Sequence, residues 1–231
     1  MYKTIVTVVL LMAAALAYEP PSWMNLGDLS GAIHARDLYE ITGTGYLLAA
    51  GQFDNVFDQA AVWRSTDMGV SWSRVFKSDR GASSLFWQMR GDAYNRAWVV
   101  GSDGGSEALA YSANNGSTWT WVSGPPSSPA ISGRSITTIG DYLYHGGEVA
   151  TPYSTSLHRL NVVNMQWELV VQYPQCNAIT RLKYYNGRLL VFCRDMTTSA
   201  VRVFSYTPSD LDARAVPVGL AETRPADPVQ D

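Results

Sequence analysis

Charged residues are scarce in this 231-residue chain, since Asp, Glu, Lys and Arg make up only 16% of it against about a quarter in typical globular proteins. The 17 basic residues are scattered singly and the formal net charge is −3, so no basic patch is available for a nucleic-acid backbone. No apolar run approaches the length of a membrane-spanning helix. The three histidines lie far apart without the spacing of zinc ligands.

Apolar residues are abundant by contrast. Hydrophobic residues make up 46% of the chain and aromatic residues 12%, with 8 tryptophans and 13 tyrosines. This composition excludes a disordered, collagen-like or coiled-coil protein. The sequence therefore predicts a globular protein with a well-packed core.

The amino terminus resembles a targeting segment. Residues 1–17 contain one cation, Lys3, an apolar stretch of about 12 residues that is too short to span a bilayer, and a small-x-small ending at Ala15-Leu16-Ala17. We interpret this as a secretory signal peptide cleaved before Tyr18, followed by a lead-in segment at 18–29. The alternative is a buried first helix. The signal predicts a secreted or extracytoplasmic protein.

Two cysteines, Cys176 and Cys193, allow one disulfide bond in such a compartment. A hairpin turn at Asn186-Gly187 would pair residue 180 with Cys193 and leave Cys176 about 13 Å further along an ideal strand. A bridge then requires the chain to fold back there. A disulfide and two buried thiols both remain open.

Two octapeptides have the same pattern, Ser-x-Asp/Asn-x-Gly-x-Ser/Thr-Trp. They occupy residues 65–72 and 112–119, and their tryptophans are 47 residues apart, with Trp167 a further 48 residues on. In such a segment an Asp or Asn side chain can bond the backbone two residues on, Gly permits positive φ, and the Trp ring is buried. The residues that we expect to be structural are Ser65, Asp67, Gly69, Trp72, Ser112, Asn114, Gly116 and Trp119.

Candidate strands recur at the same period. Each unit has an apolar run after a turn signal, flanked by further strands, with no helical periodicity. We predict an all-β fold, a β-propeller of about four four-stranded blades over residues 30–217, because radial repetition protects sheet edges. The blades are expected at about 30–78, 80–124, 130–172 and 176–217. Residues 218–231 show no period and are expected to form a flexible tail.

Both octapeptides resemble the Asp box, or BNR repeat, of sialidases and of many non-sialidase propellers. The third repeat, with Gly146-Gly147 and Trp167, is instead similar to a kelch repeat. The resemblance implies that the box lies on the outer rim, away from the ligand-binding face. Asn115 also begins a glycosylation sequon, usable in a eukaryotic source.

An acidic residue follows the second strand of every unit: Asp54, Asp103, Glu148 and Asp195. Fourfold pseudosymmetry would place these carboxylates in a ring at one end of the central channel. The ring would suit Ca²⁺ or a polyhydroxylated ligand, although no cofactor is required. The alternative is that acids simply occupy polar loop starts.

Arginines recur near the first strands, at Arg36, Arg134 and Arg181. A guanidinium suits bidentate recognition of a carboxylate, and sialidases similarly hold an acidic sugar with three arginines. The Arg-Ile-Pro signature of sialidases is absent here, and no motif places a tyrosine nucleophile with its glutamate. Local pairing of these arginines with acids is the alternative.

Length separates the functional hypotheses. A sialidase-like catalytic propeller has six blades, and six blades of about 47 residues are longer than this chain. We therefore expect a non-catalytic propeller that binds a carbohydrate or an extracellular protein on its upper face, with no nucleic acid as partner. The alternatives are a reduced sialidase-like glycoside hydrolase and an assembly subunit. The oligomeric state is left open.

Overall fold

The computed structural model describes residues 29, 31–53, 59–78, 84–126, 130–150 and 154–217. The predicted signal peptide, nearly all of the lead-in segment and the predicted tail lie outside these residues. Within them the protein is almost entirely β-structure, which confirms the all-β prediction. No helix among these residues is long and apolar enough to cross a membrane.

The first two units are four-stranded antiparallel sheets with strands in chain order. The first unit contains β1 (Ala32–Ile41), β2 (Tyr46–Phe53), β3 (Gln59–Ser65) and β4 (Ser73–Lys77). The second contains β5 (Leu85–Gly91), β6 (Ala97–Asp103), β7 (Ser106–Ser112) and β8 (Thr120–Val122). Each unit therefore presents its first strand at one edge and its last strand at the other.

The third and fourth units share one larger sheet. The third unit contains β9 (Ala130–Ile139), β10 (Tyr142–Val149), β11 (Thr155–Asn161) and β12 (Gln166–Tyr173). The fourth contains β13 (Cys176–Tyr185), β14 (Arg188–Asp195) and β15 (Val201–Tyr206). A single bridge between Glu148 and Ala178 joins the two units.

The fourth unit has three strands, so the prediction of a fourth strand in it is wrong. Helix α1 (Pro208–Arg214) follows β15, because Thr207 and Asp210 form a capping box and Pro208 suits the first helical turn. The chain then returns to the third unit, where β16 (Val216–Pro217) pairs with β12.

Consecutive units pack through their first strands. Strand β1 contacts β5, β5 contacts β9, and β9 contacts β13. Buried apolar clusters fill the spaces between neighbouring units and include the fully buried rings of Trp98 and Phe86. The four first strands therefore follow one another in order, each packed against the next.

A backbone hydrogen bond with a side-chain acceptor links each unit to the next. Asp37 Oδ2 accepts the Met89 N–H, Gln88 Oε1 accepts the Ile136 N–H, and Ser135 Oγ accepts the Leu182 N–H, each at 2.8 Å. Asp37, Gln88, Ser135 and Arg181 hold equivalent ladder positions, opposite residues 50, 100, 146 and 192. This hydrogen bond therefore occurs at three of the four equivalent positions, and Arg181 occupies the fourth.

Candidate functional site

A pocket of about 340 Å³ lies between the first strands of the units. Its lining residues come from β1, β5, β9, β10, β13 and β14, and they are Arg36, Trp87, Arg134, Glu148, Ala178, Thr180, Arg181 and Arg194. All three arginines that the sequence singled out therefore line one cavity. Four arginines and a single glutamate give the described lining an excess of positive charge.

Glu148 is clamped between two of these arginines. Arg134 Nε donates to Glu148 Oε2 at 2.8 Å, and Arg194 donates to the other carboxylate oxygen at 2.7 Å. Burial alone would raise the pKa of Glu148, but the hydrogen bonds and charges of Arg134 and Arg194 outweigh it and lower that pKa. The carboxylate is therefore ionised at neutral pH and orients both guanidinium groups.

Trp87 supports two arginines on its ring. The guanidinium carbon of Arg134 lies 4.1 Å from the ring centroid and that of Arg36 lies 5.0 Å from it, distances typical of cation–π contacts. The indole N–H donates to Ser132 Oγ at 3.1 Å, which fixes the ring in place. Trp87 thus restricts the positions of both guanidinium groups.

Arg36 and Arg181 have no carboxylate within ion-pair distance among the residues that the structure describes. Both side chains are exposed. The positive charge of Arg181 also acts on the neighbouring Arg90. The pKa of Arg90 is lowered mainly by burial and further by Arg181, whereas the ion pair with Asp37 raises it. Among the described residues, the pocket therefore has two guanidinium groups without a carboxylate partner, and these groups can receive an anion.

A second cavity of about 450 Å³ adjoins the first and shares Trp87, Arg134 and Glu148 with it. Its other lining residues are Gln52, Leu85, Ser102, Gly105, Ile131 and Ser132. The two cavities together form a groove whose charged part is at Arg36 and Arg181. The remainder offers amide, hydroxyl and apolar groups, a combination that suits a polyhydroxylated ligand.

Of the three predicted acids that the structure describes, Glu148 lines this groove and Asp103 and Asp195 do not. Asp103 is 3% exposed and bonds Ser78 and Ser84, and Asp195 is 4% exposed and accepts the N–H groups of Thr197 and Thr198. Neither lines the pocket, because Asp103 faces two serines that precede β5 and Asp195 faces its own loop and Arg202. Asp54 lies outside the described residues. In the described ranges, no three His, Cys, Asp or Glu side chains are grouped as a metal site would require.

Both octapeptides form the same turn, which connects the third and fourth strands of a unit. In the first, Asp67 Oδ1 accepts the Ser71 N–H at 2.8 Å, Ser65 Oγ accepts the Gly69 N–H at 2.7 Å, and Trp72 donates to the Gly69 carbonyl at 2.9 Å. The second repeats these bonds through Ser112, Asn114, Gly116, Thr118 and Trp119. Both turns are remote from the residues that line the pocket.

Hydroxyl and backbone donors hold the first turn's carboxylate ionised. The Ser71 hydroxyl, the Ser71 N–H and the Ser65 hydroxyl lower the pKa of Asp67 to about 2.

Asn115 lies at the apex of the second turn, where it is exposed and has a φ of 56°. Positive φ at this apex suits asparagine, and the sequon there is accessible.

Cys176 and Cys193 form a disulfide with Cα atoms 6.0 Å apart. The turn pairs Tyr185 with Arg188 as expected, but β13 has irregularities on either side of Ile179, and Ile179 rather than residue 180 lies opposite Cys193. These bulges shorten the path from Cys176. No residue type in the sequence marks these bulges. An ideal strand without them therefore places the two cysteines too far apart for a disulfide.

Sequence reasoning missed Arg194 and Trp87 as pocket residues. Arg194 immediately precedes Asp195, the acid that recurs after the second strand. Trp87 lies on β5, directly after Phe86. Trp87 lies outside the octapeptide pattern, but so do the fully buried Trp63 and Trp98, so this signal alone does not identify a pocket residue. No sequence signal distinguishes Arg194 from a surface cation.

No protein-family model and no curated protein matches this sequence. Solved structures do match it. An exo-β-1,3-galactanase from Phanerochaete chrysosporium, solved with galactose, has a TM-score of 0.54 and 16% identity, covering 82% of this chain and 51% of that one. YCF48 from Cyanidioschyzon merolae has a TM-score of 0.52 and 11% identity, covering 80% and 60%.

The fold is of the β-propeller type. A Penicillium chrysogenum α-L-arabinanase complexed with arabinobiose also matches, with a TM-score of 0.49, 14% identity, and coverage of 82% of this chain and 67% of that one. The chain spans about half the length of the galactanase and 60% of YCF48. At these identities the likeness describes the propeller fold alone.

Proposed function

We propose that this propeller binds an acidic saccharide in the arginine-lined groove and does not hydrolyse it. The observation that carries this proposal is the convergence of Arg36, Arg134 and Arg181 on one pocket, with Arg36 and Arg181 lacking a carboxylate partner in the described part of the chain. Guanidinium groups recognise carboxylates by paired, charge-assisted hydrogen bonds. A uronic acid, or another sugar with one carboxylate, matches two free guanidinium groups.

A saccharide is preferred over other anions because the groove continues beyond its charged part. Trp87 contributes an aromatic ring, and Gln52, Ser102 and Thr180 contribute polar side chains. The galactanase that shares the fold was solved with galactose, which supports a sugar as the class of ligand here. The excess of arginine then selects acidic over neutral sugars.

A non-catalytic role is supported by the single carboxylate in the described lining. Glycoside hydrolysis ordinarily uses two carboxyl groups about 5 to 9 Å apart, one of them able to donate a proton. Glu148 is held ionised between Arg134 and Arg194, and Asp103 and Asp195 stabilise loops elsewhere. The sialidase-like hydrolase is therefore the weaker proposal.

The same proposal includes the finer architecture. We interpret the four units as propeller blades with Asp-box turns in the first two, because the two turns have matching hydrogen bonds at one period. The predicted signal peptide and the Cys176–Cys193 bridge support action outside the cytosol, where disulfides persist. Amino-terminal sequencing of the exported protein, expected to begin at Tyr18, tests this.

The ligand is tested with a matched pair of sugars, galacturonate and galactose oligosaccharides of equal length, by isothermal titration calorimetry. The acidic sugar should bind and the neutral one should bind at least about tenfold more weakly, because a charge-assisted hydrogen bond contributes about 1.5–3 kcal/mol. Arg181→Gln should weaken galacturonate binding by a similar factor. Arg188→Gln, on the same hairpin but bonded to Ser205, is the matched control and should leave affinity unchanged.

Three outcomes would contradict the proposal. Equal affinity for both sugars, or unchanged binding in Arg181→Gln, would remove the arginine pocket as the recognition site. Release of shorter saccharides during prolonged incubation with the purified protein would show that the non-catalytic part is wrong. Affinity should also fall with added salt, since the ligand and site carry opposite charges.

A further inference from the structure

Neighbouring units are joined by one recurring pair of apolar side chains. The first member lies on the third strand of a unit and the second lies on the first strand of the next unit. The three pairs are Val62 with Met89, Leu109 with Ile136, and Leu157 with Leu182. In each pair both residues are at most 1% exposed and belong to the same buried cluster. This pair therefore marks the contact between consecutive units.

The two ends of the molecule carry the separate halves of a fourth pair. Val203 on β15 occupies the ladder position of Val62, Leu109 and Leu157, since all four lie opposite equivalent residues of the second strand. Leu38 on β1 likewise occupies the position of Met89, Ile136 and Leu182. Yet Val203 is 56% exposed and Leu38 is 60% exposed. Within the described part of the chain, each half of the interface is thus formed but uncovered.

The described strands do not cover these surfaces by closing on one another. In the described part of the chain, β1 and β13 do not pack together as the other neighbouring first strands do, and β15 does not pack on β1 as β3 packs on β5. Val201, another apolar residue of β15, is 58% exposed. The surface around Val203 is therefore apolar over more than one residue.

Charges on the two end surfaces are mixed. Arg36 and Glu40 are exposed on β1, and Arg181 and Lys183 are exposed on β13, so β1 offers these cations one opposite and one like charge. This fourth contact would lack the hydrogen bond that links the internal units. Arg181 occupies the position at which Asp37, Gln88 and Ser135 accept an N–H, and an arginine side chain has no acceptor. A contact between the two ends would therefore be weaker than the internal ones and reversible.

We propose that a second copy of this chain docks head to tail, with β15 and β13 of one copy against β1 of the next. A second copy is the occupant that the observations favour, because one chain presents both complementary halves and the internal pairs show how they fit. The contact is heterologous, so it joins two different surfaces. It would also place the partner beside Arg36 and Arg181, at the open side of the pocket.

The test is the oligomeric state of the purified full chain and of two single variants. Sedimentation equilibrium over a range of concentrations should show reversible self-association of the wild type. Leu38→Asp and Val203→Asp should each be monomeric, with the dissociation constant raised by at least about tenfold, because a carboxylate would be buried in an apolar contact. Val163→Asp changes an exposed valine in the turn between β11 and β12 and should associate like the wild type.

Mixing the two variants gives the decisive result. A Leu38→Asp copy retains Val203, and a Val203→Asp copy retains Leu38, so one intact contact can form between them. The mixture should give a dimer and stop there. A monomeric wild type at every concentration, variants that associate normally, or a mixture that stays monomeric would each overturn the proposal. Circular dichroism and melting temperature of each variant establish that it is folded.

Discussion

Removal of the Ser135 hydroxyl should destabilise the contact between the third and fourth units. This hydroxyl accepts the Leu182 N–H at 2.8 Å and donates to Gln88 Oε1 at 2.6 Å, and Ser135 and Gln88 are both fully buried. In Ser135→Ala the buried Leu182 N–H loses its acceptor, while Gln88 keeps its bond from Ile136. An unsatisfied buried donor costs about 1–3 kcal/mol.

A loss of about 2 kcal/mol corresponds to a melting temperature lowered by about 4–8 °C in a chain of this size. It also lowers the urea midpoint by about 1 M, if m is about 2 kcal/mol per M. Unfolding is followed by tryptophan fluorescence, with the disulfide kept oxidised.

Ser106→Ala is the matched control, because Ser106 is exposed and lies outside the contact between the third and fourth units. Equal stabilities of Ser135→Ala and Ser106→Ala would show that the buried hydrogen bond does not stabilise the contact.

Two further predictions concern the turn at Asp67 and the buried His158. Asp67→Asn should keep nearly wild-type stability, because Asn114 accepts the same backbone hydrogen bond in the second turn. Asp67→Ala should lower the urea midpoint. An equal loss of stability in the two variants would contradict this prediction. Burial, and secondarily the charge of His145, lowers the pKa of His158 to about 3 from 6.5. The unfolded chain therefore binds the extra proton between these values, and stability should fall as pH falls from 6.5 towards 3, by at most about 1.4 kcal/mol per pH unit. Urea midpoints against pH should be flatter in His158→Gln, and an unchanged slope would exclude His158 as the cause.

Most of the fold that could be predicted, namely the strands and the octapeptide turns, followed from the repeat period. Octapeptide turns depend on hydrogen bonds within eight residues, so Asp67 and Asn114 could be assigned from sequence alone. The all-β class follows from the same period. The helix after β15 broke this pattern because a local capping box at Thr207 outweighed the repeat.

Side-chain direction was harder to predict than strand position. The period placed Asp103, Glu148 and Asp195 at equivalent loop starts, but their partners differ. Glu148 pairs with Arg134 and Arg194 in the pocket, Asp195 bonds its own loop and Arg202, and Asp103 bonds Ser78 and Ser84. Bulges in β13 change the register near Cys193, and no residue type announces them. Long-range contacts and irregular strands therefore required the structure.

Recognition of an acidic sugar by the arginine-lined groove can be tested by a structure of the protein with a bound galacturonate oligosaccharide. The sugar is expected in the groove beside Trp87, with its carboxylate within hydrogen-bond distance of the Arg36 or Arg181 guanidinium group. A sugar bound elsewhere on the propeller, or one whose carboxylate faces away from both arginines, would contradict this expectation.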